Sequence, residues 1–178
     1  MRYAMAVDTK KCVGCGDCVV ACQTENNVPF GYARDWIVEI ATGRYPDTIK
    51  VHFESRRCHH CDDAPCVRVC PTGASHIVEG GIVLVTHEEC IGCGACIEAC
   101  PYEARYFHPD GYVDKCTFCV HRVSNGQDPA CVSVCPTYCL IFGDLDDPES
   151  PISKVLKERD YYTLAPDAGT KPQLYFLK

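Results

Sequence analysis

The chain has 178 residues, a length that fits one domain or at most two small ones. Cysteine supplies 17 of them, and 17 Lys and Arg against 24 Asp and Glu give a formal charge of −7. The absence of a basic stripe interleaved with aromatics argues against nucleic-acid binding, and no apolar run is long enough to span a membrane. The first residues, MRYAMAVDTKKC, hold neither an apolar signal segment nor a twin arginine, so we expect no export signal there.

Apolar alternation and turn residues predict a series of short elements. In chain order we expect a strand over 3–9, a loop over 23–34, a hairpin of strands 36–43 and 49–55, a short helix over 64–69, hairpins over 75–86 and 104–115, a strand over 140–145, a helix over 152–159 and an extended tail over 160–178. Only the stretch 152–159 has clear helical spacing.

The cysteines form four groups of four, with Cys139 left over. The groups are Cys12, Cys15, Cys18 and Cys22; Cys58, Cys61, Cys66 and Cys70; Cys90, Cys93, Cys96 and Cys100; and Cys116, Cys119, Cys131 and Cys135. A proline follows the last cysteine of the second, third and fourth groups. The first and third groups have the spacing C-x2-C-x2-C-x3-C, which is the ligand pattern of bacterial ferredoxins.

This spacing has a physical reason in the shape of an iron–sulfur cube. Three thiolates two residues apart can surround one face of a cube if the backbone between them turns tightly. Gly14 and Gly16, and likewise Gly92 and Gly94, permit the positive φ of such turns and let amide N–H groups approach the sulfurs. A short helical turn then carries the fourth cysteine to the neighbouring cube. The pattern therefore predicts four [4Fe–4S] clusters on sixteen cysteines.

Three other uses of cysteine are disfavoured. Disulfide frameworks belong mostly to secreted chains under about 100 residues, and this cysteine count is odd. Structural zinc needs only two C-x2-C pairs per site and does not require the C-x2-C-x2-C-x3-C-P run. A thioredoxin-like C-x2-C motif is disfavoured because the pairs here never stand alone.

The pattern predicts an α+β fold of two intertwined bacterial-ferredoxin-like units with β-hairpin insertions and an extended C-terminal tail. Residues 56–108 form the inserted unit, residues 1–55 with 109–145 form the outer unit, and residues 146–178 form a C-terminal helix and docking tail. The crossing of the fourth cysteine then gives four ligand sets. The first set is Cys12, Cys15, Cys18 and Cys135; the second is Cys22, Cys116, Cys119 and Cys131; the third is Cys58, Cys61, Cys66 and Cys100; and the fourth is Cys70, Cys90, Cys93 and Cys96.

Over nearly its whole length the sequence resembles the iron–sulfur (B) subunits of the molybdopterin oxidoreductase (dimethyl sulfoxide reductase) family. The matching stretches are DTKKCVGCGDCVVAC, CHHCDDAPCVRVCPTGAS, CIGCGACIEACPYEARY, DKCTFCVHR and CVSVCPTYC. The tail stretches FGDLDDPESPISKVLK and GTKPQLYFL resemble the polysulfide/thiosulfate reductase type.

The resemblance implies an electron-transfer subunit of an anaerobic respiratory complex. It would relay electrons between a molybdopterin-containing catalytic subunit, next to the first set, and a polytopic quinone-binding membrane subunit, next to the fourth. Some relatives lack one ligand in the third group and hold a [3Fe–4S] cluster; Cys93 is present here, so the resemblance implies a full cube. It also implies a location peripheral to the cytoplasmic membrane, on the periplasmic face through co-export with a partner, with a cytoplasmic location as the alternative. The alternative functions are a free polyferredoxin and an electron-transfer subunit of a cytoplasmic formate- or hydrogen-metabolising complex.

Several side chains next to the ligands could tune the cluster potentials. They are His60, Arg105, Lys115 and Arg122, and the alternative for each is solvation or pairing with a carboxylate. We expect Cys139 to be a buried free thiol, with a ligand role as the alternative. No Ser–His–Asp set, acid/base carboxylate pair or phosphate loop is evident, so the chain is not expected to be an enzyme on its own.

Overall fold

The computed structural model describes all 178 residues, Met1–Lys178. The fold mixes short helices with short strands. The strands are β1 (Tyr3–Asp8), β2 (Asp35–Thr42), β3 (Lys50–Arg57), β4 (Ser75–Val78), β5 (Ile82–Val85), β6 (Tyr106–Phe107), β7 (Val113–Asp114), β8 (Leu140–Asp144), β9 (Tyr161–Tyr162) and β10 (Leu174–Leu177). The helices are α1 (Asp17–Glu25), α2 (Pro65–Arg68), α3 (Ala95–Glu98), α4 (Val120–Val123), α5 (Ala130–Ser133) and α6 (Pro151–Glu158), with 3₁₀ turns at His87–Glu89 and Pro166–Ala168.

A mixed four-stranded sheet joins the two ends of the chain. Its order is β8-β1-β10-β9, in which β1 pairs antiparallel with β8 and parallel with β10. The strand β1 is buried on both faces because Ala4 and Ala6 pack with Ile152 of α6, whereas Met5 and Val7 join the core that contains the cysteines. The sheet therefore separates α6 from the cysteine-rich part of the molecule.

Three two-stranded hairpins, β2-β3, β4-β5 and β6-β7, extend from the cysteine-rich part. They confirm the three hairpins predicted from the sequence. The predicted strands over 3–9 and 140–145 and the helices over 64–69 and 152–159 are also present, with ends shifted by one or two residues at most sites.

Two sequence predictions about helices were wrong. The longest helix is α1, at 9 residues, and it continues to Glu25 into the predicted loop 23–34. Its inward-facing residues are Cys18 and Cys22, whereas Val20 is exposed, so it lacks the apolar stripe that reveals a helix in a sequence. Asn26 ends the helix by donating from its side chain to the Cys22 carbonyl at 2.9 Å.

The C-terminal residues complete the sheet. In β10, Leu174, Phe176 and Leu177 are fully buried, and the strand lies between β1 and β9. The tail thus covers the core of its own chain, and the docking role suggested for residues 146–178 stays a prediction.

Candidate metal centre

The first and second cysteine sets each surround one cavity. Cys12, Cys15, Cys18 and Cys135 line a cavity with about 300 Å³ of space not filled by atoms. The cysteines around a second cavity of about 290 Å³ are Cys22, Cys116, Cys119 and Cys131. In each set, cysteines more than 90 positions apart in the sequence meet at one cavity.

The third set is gathered around Cys61. Burial raises the pKa of the Cys61 thiol to about 12; a hydrogen bond with Thr170 opposes this, and the nearby Cys58, Cys66 and Cys100 add to it. In the fourth set, burial raises the pKa of Cys96, and Cys90 is one of the thiols that contribute. Its other two members, Cys70 and Cys93, are half-buried and exposed respectively.

Neighbouring sets approach each other through three pairs of cysteines, each close enough for one thiolate to raise the pKa of the other thiol. The pairs are Cys18 with Cys131, Cys58 with Cys116, and Cys66 with Cys96. These pairs link the first set to the second, the second to the third and the third to the fourth. The four sets therefore form a series rather than a compact square.

Tight turns bring backbone N–H groups to the sulfurs. Gly14, Gly16, Gly92 and Gly94 all have positive φ, as the motif requires. Backbone N–H groups donate to Cys70, Cys90, Cys116 and Cys135 at 3.3–3.4 Å. Such hydrogen bonds to a ligand sulfur stabilise its negative charge and raise the potential of a bound cluster.

Comparison with known proteins agrees with this arrangement. Residues 49–145, more than half of the chain, match a family described as a 4Fe-4S dicluster domain, and residues 11–74 match a second family of the same description. The B subunit of polysulfide reductase from Wolinella succinogenes is 42% identical over 179 residues, covering 99% of this sequence and 94% of that protein. The thiosulfate reductase electron transfer subunit of Salmonella typhi is 47% identical over 165 residues (90% and 84% coverage), and the arsenate respiratory reductase iron–sulfur subunit of a Shewanella species is 37% identical over 229 (100% and 97%).

This protein belongs to the family of iron–sulfur (B) subunits of such reductases. Two dicluster domains correspond to four [4Fe–4S] clusters, which the 17 cysteines suffice to bind. The resemblance that the sequence motifs carried is therefore confirmed at the level of the family and the cofactor. No helix of this family member is long and apolar enough to cross a membrane.

Unpartnered buried donors fit a bound iron–sulfur cluster. Arg57 Nε, Arg105 Nε and Nη1, and His60 Nε2 have no hydrogen-bond partner within the protein. His60 Nδ1 accepts from the Val83 N–H at 3.1 Å, so Nε2 carries the proton of the neutral ring. Buried donors need acceptors, and the sulfides and thiolates of a cluster supply them.

The buried thiols need a cation in place of their protons. Burial raises the pKa of Cys116 to about 12 and that of Cys131 to about 11, although Arg57 lowers both. It raises the pKa of Cys22 further still. No three His, Cys, Asp or Glu side chains are grouped closely enough to hold a single metal ion. Iron therefore has to displace protons from these thiols when a cluster binds.

Cys139 lies inside the cavity of the first set. It is buried, its Sγ is 3.4 Å from Cys135 Sγ, and its backbone N–H donates to the same sulfur at 3.3 Å. Burial raises the pKa of Cys139, and its hydrogen bond with Cys135 raises it further. The thiol therefore stays protonated, as a donor beside the Cys135 sulfur.

The charged neighbours of the ligands differ in their surroundings. Arg105 and Lys115 are buried against the cysteine sets, whereas Arg122 is partly exposed and pairs with Glu25 at 3.0 Å. Arg57, which the sequence analysis did not single out, is also fully buried. Its position directly before Cys58, like that of Lys115 before Cys116, was the signal that could have identified it.

Proposed function

We propose that this chain relays electrons through four [4Fe–4S] clusters between a molybdopterin-containing catalytic subunit and a quinone-binding membrane subunit of a respiratory reductase. The observation that carries the proposal is the meeting of four cysteines around each of two closed cavities. When bound, each cluster supplies a site that accepts and returns one electron. The proposed ligands are the four sets given above, and the chain performs no substrate chemistry of its own.

The proposed architecture is an inserted ferredoxin-like unit, 56–108, inside an outer unit made of 1–55 and 109–145. Two long-range associations support it. Cys22 of the first segment lines a cavity with Cys116, Cys119 and Cys131 of the second, while the strands β1 and β8 pair across the insertion. The C-terminal residues 146–178 then close the sheet of the outer unit.

The proposed path runs from the first set through the second and third to the fourth. The three close cysteine pairs between successive sets support this order. Each end of the series has one exposed cysteine, Cys15 in the first set and Cys93 in the fourth. Electrons can therefore enter and leave at the two ends, whereas the second and third sets lie inside the protein.

Apolar side chains around the two ends favour a subunit in a complex over a free polyferredoxin. Val13 and Tyr138 are 58% and 79% exposed beside the first set, and Val69 and Ile91 are 42% and 67% exposed beside the fourth. An exposed apolar patch is typical of a protein interaction surface. The named relatives are subunits of polysulfide and thiosulfate reductases, which supports a catalytic partner at the first end and a membrane partner at the other. We infer a peripheral location on the membrane, on the periplasmic face by co-export with a partner.

Charged substitutions at each end test the two partners separately. In a tagged complex purified anaerobically with its partners, Val13→Asp with Tyr138→Asp should reduce molybdenum per chain and leave the tagged chain with the membrane fraction. Val69→Asp with Ile91→Asp should give the reverse. Tyr161→Asp, on the edge strand β9, is the control and should change neither. Loss of both partners from one end, or a wild-type chain that purifies alone with all its iron, would contradict the proposal and favour the polyferredoxin.

A further inference from the structure

Three cations are buried among the cysteine sets. Arg57, Lys115 and Arg105 are 1%, 1% and 6% exposed. Burying a charge away from water is costly unless opposite charge lies nearby. The neighbours of these three side chains therefore indicate where negative charge belongs in the working protein.

Arg57 joins the first and second sets. Its Nη1 donates to Cys131 Sγ at 2.8 Å, and its Nη2 donates to Ser55 Oγ, which lies 3.4 Å from Cys18 Sγ. Asp35 is buried beside it, with Oδ2 3.3 Å from Nη2. A continuous contact thus runs from a ligand of the second set, through Arg57 and Ser55, to a ligand of the first.

Arg105 joins the third and fourth sets in the same way. Its Nη2 donates at 2.9 Å both to Cys66 Sγ and to Ser75 Oγ. The backbone N–H of Ser75 donates in turn to Cys70 Sγ at 3.3 Å. Each of the two ferredoxin-like units therefore has an arginine and a buried serine between its two sets. Arg105 differs from Arg57 because no carboxylate pairs with it.

Lys115 occupies the remaining junction. Its Nζ donates to the carbonyls of Val83 and, at 2.7 Å, Cys116. Burial lowers the pKa of Lys115, while the nearby thiolates of Cys58 and Cys116 act to raise it. Those two cysteines belong to the third and second sets, so Lys115 lies between them, again without a carboxylate partner.

We propose that Arg57, Lys115 and Arg105 are the potential-setting residues of this electron path, one at each junction between successive clusters. The inference rests on the proposed cysteine sets. An added electron increases the negative charge of a cluster, which is unfavourable in a buried site of low dielectric. The second and third sets are the buried ones, and each is flanked by two of the three cations. The cations keep these inner clusters reducible, so that they do not interrupt the path.

The arrangement predicts a definite overlap of effects. Removing the charge of Arg57 should lower the midpoint potentials of the first and second clusters, removing that of Lys115 the second and third, and removing that of Arg105 the third and fourth. Each variant lowers two of the four potentials. The pairs for Arg57 and Arg105 share no cluster, and the pair for Lys115 shares one with each. This pattern can be recognised before any signal is assigned to a particular cluster.

The test is an EPR-monitored potentiometric titration of the intact four-cluster protein carrying Arg57→Gln, Lys115→Gln or Arg105→Gln. Arg57→Lys and Arg105→Lys keep the charge and should give smaller shifts. Arg68→Gln is the matched control, because Arg68 lies between two ligands in the sequence but its side chain is 61% exposed. Solvent screens such a charge, so its removal should leave the four potentials in place.

A second, isosteric variant tests the same idea if a neutral variant fails to assemble. Asp35→Asn removes the negative charge that opposes Arg57, so it should raise the two potentials that Arg57→Gln lowers. Four unmoved waves in Asp35→Asn or in the three neutral variants, or shifts of the same pair for Arg57 and Arg105, would overturn the inference. Fewer than four one-electron waves in the wild-type protein would instead contradict the proposed function.

Discussion

Truncating Phe176 tests whether the C-terminal strand β10 is part of the core. Phe176 is fully buried and stacks on Tyr162 with ring centroids 5.3 Å apart. Replacing a buried Phe by Ala removes apolar contacts and leaves a cavity, which typically costs about 3–5 kcal/mol. In a chain of this size each kcal/mol lowers the midpoint of thermal unfolding by about 2–4 °C. Phe176→Ala should therefore lower the apparent midpoint by about 6–20 °C.

The assay is anaerobic thermal unfolding of the holoprotein followed by far-ultraviolet circular dichroism, at one scan rate for all variants because cluster loss makes unfolding irreversible. Tyr161→Ala, on the neighbouring β9, is the matched control. Tyr161 is 44% exposed, so its truncation should change the midpoint much less. Equal midpoints for Phe176→Ala and the wild type would refute the view that this tail is core.

The same variant should loosen the third cysteine set before the others. The tail holds the loop of that set through two backbone hydrogen bonds, from the Gln173 N–H to the His59 carbonyl at 2.8 Å and from the Asp62 N–H to the Lys171 carbonyl at 3.0 Å. Phe176→Ala should therefore release about four irons per chain to a chelator faster than the remaining twelve or so. Uniform release from all four clusters would contradict this local coupling.

Two further predictions concern one cavity and one ion pair. Cys139→Ala should keep about sixteen irons per chain, whereas Cys135→Ala, four residues away in the same cavity, should keep about twelve; an equal loss in both would make Cys139 a ligand. Burial raises the pKa of Asp8, but Arg159 more than offsets this and holds it below its usual value, so the pair stabilises the fold above about pH 4 and less as pH falls through the lowered pKa. Arg159→Gln should move acid unfolding to higher pH, and an unchanged acid midpoint would show that the pair does not matter.

The sequence was most informative where local chemistry determines local structure. The C-x2-C spacing requires tight turns, and Gly14 and Gly92 adopt them with φ of 69° and 64°. The hairpin turn at Gly80–Gly81 is present for the same reason, since both glycines have positive φ. The cluster number and the family also followed from spacing, because it is the chemistry of the cofactor that fixes it.

Longer-range features could not be predicted from local patterns. The parallel pairing of β1 with β10 joins residues such as Met5 and Leu174, and no periodicity reports a partner so distant in the chain. The helix α1 was underestimated because cysteines rather than aliphatic residues form its buried face. Arg57 appears in the sequence as one of two adjacent arginines; only the fold shows that it is buried between two cysteine sets, whereas Arg56 is partly exposed and pairs with Glu54.

The most direct test of the account is the iron and acid-labile sulfide content per chain after anaerobic purification, together with EPR of the reduced protein. Four cubes on sixteen cysteines predict about sixteen iron and sixteen sulfide per chain, with broad signals from clusters that interact magnetically. Zinc in place of iron, or iron without sulfide, would contradict the central claim and make the cysteine sets a structural scaffold.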